Sequence, residues 1–367
     1  MKYRFGFLLV IIGLIFMNSC KMEDVKKKEV LFVGTYTDNG SEGIYKFDFN
    51  TDTGELEGRT VASKIKNPSY LAFSPDGRSL YAVSEIDNYK NDDGSITTYR
   101  IKDTSLVKLS EQSTYGANPC YVGVSDNGNL VAVANYTGGN VAIYNTEENG
   151  NLNAKPHVID HKNLDSTKQA HAHMASFLNG ELLVSDLGLD RIKKYSELEE
   201  SFTPSKQKEL VLAEGAGPRH FVTAQKGNFL YVINELNSTI TVFNKDEGQY
   251  VELETYKTVD SDFEGESYCA DIHLSPDGKF LYGTNRGENT VVIFKVDDSN
   301  GKLELVGRES VKGDWPRNFT IDPTGNYVLV ANQRSNNIVV FKRNERNGTL
   351  HFVSQVDLPS PVCLKFY

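Results

Sequence analysis

The sequence predicts an all-β chain folded as a seven-bladed β-propeller, with four-stranded antiparallel blades. Three observations predict it: a strand-turn-strand unit that recurs, a recurrence period near fifty residues, and two incomplete units at the chain ends that complete one another.

The unit is clearest between Cys269 and Phe294. Asp271 to Ser275 alternates polar and apolar residues and leads into Pro276-Asp277-Gly278, where proline fixes φ and glycine accepts the left-handed geometry of a tight turn. Phe280 to Thr284 resumes as a second strand, Asn285 to Asn289 interrupts, and the β-branched run Thr290 to Phe294 is a third. The turn glycine returns at Gly77, Gly128, Gly180, Gly227 and Gly325, at spacings of 51, 52, 47, 51 and 47 residues. Short strands at such a period indicate propeller blades; helical solenoids have other periods and a 3.6-residue apolar spacing.

The ends supply the seventh blade. Leu31 to Tyr36 resembles a second strand and Gly43 to Phe47 a third, with no first strand before them. Pro361 to Phe366 resembles Pro68 to Phe73, a first strand, so the C-terminal strand is predicted to pair with the N-terminal strands and close the ring. Closure removes an exposed sheet edge.

Before the repeat, Lys2 and Arg4 precede the apolar run Phe5 to Met17, which fits a signal-peptide core and is too short to span a membrane as a helix. Ser19-Cys20 resembles the end of a bacterial lipobox, with Met17 and Asn18 departing from the commoner residues there. Residues 1–20 therefore read as a leader with lipidation at Cys20, or else as an ordinary leader with an incidental cysteine. Residues 21–29, with Lys26 to Lys28, read as a solvated tether, and 30–367 as one propeller domain without a linker. The protein is therefore expected to be exported and, on the first reading, to be an envelope lipoprotein whose only membrane contact is that anchor. Cys120, Cys269 and Cys363 open first strands of non-neighbouring blades and are expected to be buried free thiols.

A net charge of −10 with no basic face argues against a nucleic-acid partner. Residues equally far from a hairpin turn meet across it, so positions eight before and eight after each glycine share one rim of the ring. Eight forward gives Glu85, Tyr136, Gly188, Glu235, Arg286 and Gln333, with Tyr36 in the split blade; eight back gives Ser69, Cys120, Ala172, Arg219, Ala270 and Arg317. Arg219 thus faces Glu235, Arg286 and Arg317 arrive from the next two blades, and His171 and His173 from the blade before. Such a mouth suits a small anionic ligand, with titratable groups available for proton transfer. Substrate-binding candidates are Arg317, His173, Asn285, Glu85 and Tyr136. His171 and His173 could share a metal, but no third ligand is evident, and neither metal nor cofactor is expected. His220 and His273 read as satisfied core histidines, and Asp186 and Asp190 as loop-fixing carboxylates.

Several stretches together resemble the seven-bladed propeller lactonases of the 6-phosphogluconolactonase type, related to the carboxy-muconate lactonising enzymes. They include GTYT at 34–37, NPSYLAFSPDGRSLYAVSE at 67–85, HAHMASF at 171–177, GPRHFVTA at 217–224, YVINEL at 231–236, the NRG ending at 287 and WPRNFTIDPTGNYVLVANQ at 315–333. The resemblance covers residues 30 to 367 and implies a catalytic set of His171, Arg219, Glu235 and Arg286. It implies a lactone hydrolase acting on a sugar lactone, foremost 6-phosphogluconolactone in the pentose phosphate pathway. The alternatives are an isomerase or lactonase acting on an unphosphorylated acid, and a non-catalytic binding propeller. In this reading Glu235 or His171 activates water and the arginines stabilise the oxyanion, with Arg317 helping to bind a phosphate. An exported chain is in tension with a cytoplasmic pentose-phosphate substrate.

Overall fold

The computed structural model describes residues 28–198, 201–224 and 227–367, and the leader and lipidation expectations at residues 1–20, Cys20 included, lie outside them. The described residues form seven four-stranded antiparallel sheets arranged as the blades of a ring, with no helix. Blade 1 is the composite one. Its innermost strand is Pro361–Phe366, which pairs antiparallel with Lys28–Thr35 from the other end of the chain, Val33 opposite Leu364 and Leu31 opposite Phe366. The first strand starts at Lys28, inside the expected tether, because Lys28 is already in register with Asn50 and its ammonium lies 3.4 Å from Glu57 and 3.7 Å from Asp48.

Strand composition follows position in the blade. Second strands such as Ser79–Ser84, Phe229–Asn234 and Tyr327–Asn332 are buried at every residue because a neighbouring blade covers each face. They read as continuous apolar runs for that reason. Fourth strands such as Leu303–Ser310 and Leu350–Asp357 face solvent and carry alternating charge and polarity. Cys120, Cys269 and Cys363 are buried free thiols.

The blades are locked together by a device repeated around the ring. A tyrosine on the second strand donates its hydroxyl hydrogen to a carbonyl in the outer hairpin of the next blade: Tyr81 to Gly150 at 3.0 Å, Tyr231 to Gly301 at 3.0 Å, Tyr282 to Gly348 at 2.9 Å and Tyr327 to Asp52 at 2.8 Å. Gly348 must be glycine, because its φ is +75° and a Cβ there would lie 2.4 Å from the Phe280 ring. A second lacing runs nearer the axis. Asn318 of blade 7 donates to Asp271 of blade 6, and its side-chain oxygen accepts from Leu364 N–H of blade 1 at 2.7 Å.

Removing one such lock is expected to loosen one blade junction. Tyr282→Phe leaves the Gly348 carbonyl without its partner and should cost about 1 kcal/mol. Gly348→Ala combines a strained φ with overlap and should cost about 1–3 kcal/mol, a fall of a few degrees in thermal midpoint measured by calorimetry.

Candidate active site

Six of the seven innermost strands, all but that of blade 2, carry an irregularity in their pairing near the same rim, and this irregularity builds the site. In blade 5, Pro218 pairs with Asn234 and His220 with Ile233, so Arg219 is an extra, bulged residue. The same shift isolates Cys120 in blade 3, His173 in blade 4 and Arg317 in blade 7. A bulge swings its residue out of the pleat. Here the bulged residues turn towards the channel mouth, where they meet residues from the ends of the second strands.

The result is a cavity of about 230 Å³ whose polar walls are Glu85, Tyr136, His173, Glu235, Arg286 and Arg317, with Tyr36 and Cys120 completing it. Glu235 organises one side. Its Oε2 lies 2.9 Å from Arg219 Nε and 2.7 Å from Arg286 Nη2, while Oε1 has no partner among the described residues. The Arg219 Nε–H points off the line to the carboxylate, so that contact is an ion pair rather than an aligned hydrogen bond. Burial pushes the Glu235 carboxyl up, but Arg286, Arg219 and Arg317 outweigh it and hold the group below the usual glutamate value. Burial likewise lowers Arg286, to about 10, against the opposing pull of Glu235.

The arginines are not equivalent. Arg219 is 2% exposed and spends its Nη1 on Ala270 O, so it positions Glu235 from behind the cavity wall. Arg286 donates from Nε to Tyr268 O at 3.2 Å and from Nη2 to Cys269 O at 2.8 Å. Arg317 lies on the Tyr36 ring, 5.2 Å from its centroid, with Glu85 3.8 Å away, and makes no hydrogen bond among the described residues. The Tyr36 hydroxyl donates to Glu85 Oε2 at 2.8 Å.

Two sequence expectations are corrected. His173, not His171, holds the bulged position of blade 4 and lines the cavity. The hairpin of that blade turns in two residues, Asn179-Gly180, with Leu178 directly opposite Glu181, so its glycine stands one residue nearer the rim than in the other blades. Counting eight residues from it therefore overshoots to Ala172. His171 precedes the strand, donates from Nδ1 to Tyr136 O at 3.1 Å and stacks on the Tyr136 ring at 4.4 Å. Gly188 gives the His171 ring room, since a Cβ there would come 2.9 Å from its Cδ2. Asn285 does not face the cavity: it is fully buried and its amide donates to Thr258 O, Thr290 and Glu288. Through Thr258 O it ties its own loop to the end of the preceding blade, as Asn135 does through Thr114 O and Asn332 through Val311 O.

Sequence reasoning missed Asp271. This buried carboxylate accepts from His220 Nδ1 at 2.8 Å and His273 Nε2 at 3.1 Å, and from Asn318. His220 Nε2 is left to accept from Arg219 Nη1 at 3.5 Å, so the cluster backs the Arg219-Glu235 pair. The signal was a carboxylate, Asp271, one place past the counted slot Ala270, where Tyr121, Met174, His220 and Asn318 follow the bulged residues of blades 3, 4, 5 and 7. His220 is buried as expected, whereas His273 is only partly so. Asp186 and Asp190 do hold loops, through His171 N and Leu189 N and through Gly215 N and Gly217 N respectively.

Among the described residues, no group of three His, Cys, Asp or Glu side chains could hold a metal ion. A larger crevice of about 450 Å³ opens on the opposite face between the turns of blades 2 and 3, but its Asp76 and Arg78 already pair with each other at 2.6 Å.

Comparison with known proteins agrees with this geometry. The profile of the family described as the lactonase, 7-bladed beta-propeller matches residues 30–366. The chain belongs to this family. A 6-phosphogluconolactonase of Bacillus subtilis is 33% identical over 349 residues, 92% of this chain and 98% of the relative. A 6-phosphogluconolactonase of Formosa agariphila is 36% identical over 307 residues, covering 80% and 86%. The solved periplasmic gluconolactonase of Pseudomonas aeruginosa is 32% identical, with a TM-score of 0.86 over 92% of this chain and 99% of that one.

Burial also sets a pH dependence of stability. Burial, then Arg219, pushes His220 down to about 4, against the opposing effect of Asp271. The folded protein keeps the ring neutral where the unfolded chain would protonate it, so the stability is present above the unfolded value near 6.5 and is lost as pH falls from there through about 4. Urea midpoints measured across that window should fall for the wild type. His220→Gln should remove up to one proton from the slope, about 1.4 kcal/mol per pH unit.

Proposed function

We propose that the protein hydrolyses a sugar lactone at the cavity organised by Glu235. The observation that carries this is the carboxylate itself: one oxygen is held by two arginines and the other is free beside a cavity large enough for one sugar ring. The family, and relatives named for 6-phosphogluconolactone and gluconolactone hydrolysis, support the reaction class.

Water held at Glu235 Oε1 attacks the lactone carbonyl carbon while the carboxylate takes its proton. The carbonyl oxygen becomes an oxyanion beside Arg317, whose guanidinium has no hydrogen-bond partner among the described residues, and beside Nη1 of Arg286, which has none among them either. When the tetrahedral carbon expels the ring oxygen, the C–O bond breaks and Glu235 returns its proton to the departing alkoxide. The arginines that hold Glu235 below its usual value weaken it as a base, but make its protonated form a ready donor for that second step. His173, kept neutral by burial and by Arg219 nearby, is available to hydrogen-bond the water or a ring hydroxyl. Arg219 acts as a positioning residue.

The first substrate to test is 6-phosphogluconolactone, with unphosphorylated gluconolactone as the alternative. We further propose export, on the leader-like residues 1–20 and the periplasmic relative, with Cys20 as the anchoring position.

With the spontaneous rate subtracted, Glu235→Gln should lower kcat by at least about a hundredfold. His173→Ala should lose more activity than His171→Ala, because only the former lines the cavity. Full activity in Glu235→Gln would sink the proposal, and the reverse order of the histidines would return His171 to the catalytic set.

A further inference from the structure

The catalytic cavity continues into a shallower groove that carries a cation the hydrolysis does not use. The groove, about 610 Å³, shares Glu235 and Arg286 with the cavity and is walled further out by Tyr268, Trp315 and Arg334. Trp315 is the chain's single tryptophan. Its backbone sits at φ +68°, a conformation rare for a large side chain. Asn289 fixes it there, accepting from Trp315 N–H at 2.9 Å and donating to Asp314 Oδ1 at 2.9 Å.

The guanidinium of Arg334 lies on this indole, 3.3 Å from the ring centroid, and Arg286 approaches the same ring at 5.2 Å. Arg334 is exposed and, among the described residues, its side chain forms no ion pair and no hydrogen bond. A guanidinium stacked on an aromatic face is oriented by it while its in-plane N–H donors stay free. Planar donors of this kind match a carboxylate or phosphate in two-point contact. The groove's own outer carboxylate, Glu266, accepts the Tyr268 hydroxyl at 3.2 Å. Because Glu235 and Arg286 line both spaces, the groove offers room for the far end of a sugar whose carbonyl reaches Glu235.

We propose that Arg334, held flat on Trp315, binds an anionic group at the end of the substrate remote from the lactone carbonyl, a phosphate or a carboxylate. It thereby selects anionic over neutral sugar lactones. The proposal rests on the lactonase reading and names the substrate class of that site.

Trp315 is its own reporter, since its fluorescence arises from one position in contact with the proposed anion site. Wild type and Arg334→Gln would be titrated with 6-phosphogluconate, glucarate and gluconate, which carry at the far end a phosphate, a carboxylate and no charge. The wild type should bind one of the first two at least about tenfold more tightly than gluconate, and Arg334→Gln should remove that preference. Which of the two is preferred identifies the anion. In steady-state hydrolysis the same variant should raise KM for the matching anionic lactone with kcat retained, its loss confined to that lactone. Equal binding of all three by the wild type, or an equal loss for charged and uncharged ligands in the variant, overturns the proposal. Arg334-dependent binding without hydrolysis of any lactone would instead refute the lactonase reading and leave the anion site standing.

Discussion

Everything at the rim depends on the pairing of Pro361–Phe366 with Lys28–Thr35. A propeller blade has no complete core of its own: its second strand is apolar on both faces and requires a neighbour on each side. Closing the ring by main-chain hydrogen bonds between the two ends gives blade 7 and blade 2 their last neighbour and leaves no long open edge. Only in a closed ring do residues from blades 1 to 7 point into one opening. The tyrosine-to-hairpin bonds and the Asp271-Asn318-Leu364 lacing then fix each blade against the next.

Within that ring, one backbone irregularity does the chemical sorting. Because each bulge adds a residue without a strand partner, its side chain is released from the alternation that governs the rest of the strand. Arg219, Cys120 and Arg317, each preceded by a proline and eight residues before a turn glycine, arrive by this route, as does His173, which follows Ala172 and lies seven residues before Gly180. Hence the mouth can vary in chemistry while the blades keep one apolar pattern.

How much of this was legible beforehand follows from which features are periodic. The turn glycines, the apolar second strands and the orphan first strand at Pro361 repeat at fixed intervals, so blade number and ring closure could be read from spacing alone. The Arg219-Glu235 contact was legible for the same reason, as two residues equidistant from Gly227. The count from the turn missed His173 by one residue where the period breaks, at the two-residue turn Asn179-Gly180, and His171 entered the catalytic set through the family resemblance. Asn285 was misread because its neighbours face the rim while its own side chain turns back to close a loop, a matter of direction that spacing does not carry. Asp271 and the different commitments of the three arginines depend on contacts between blades about fifty residues apart, and no local pattern announces them.

The central claim is that an ionised Glu235, held low by Arg219 and Arg286, is the group that takes the proton from water. The acid limb of kcat/KM reports that ionisation in the free enzyme. Its most direct test is the position of this limb in Arg219→Met, with His173→Gln as the reference. The account predicts a wild-type limb below the ordinary glutamate value, displaced upward when Arg219 is removed and staying in place when His173 is removed. A limb that ignores Arg219, or that disappears with His173, would contradict it.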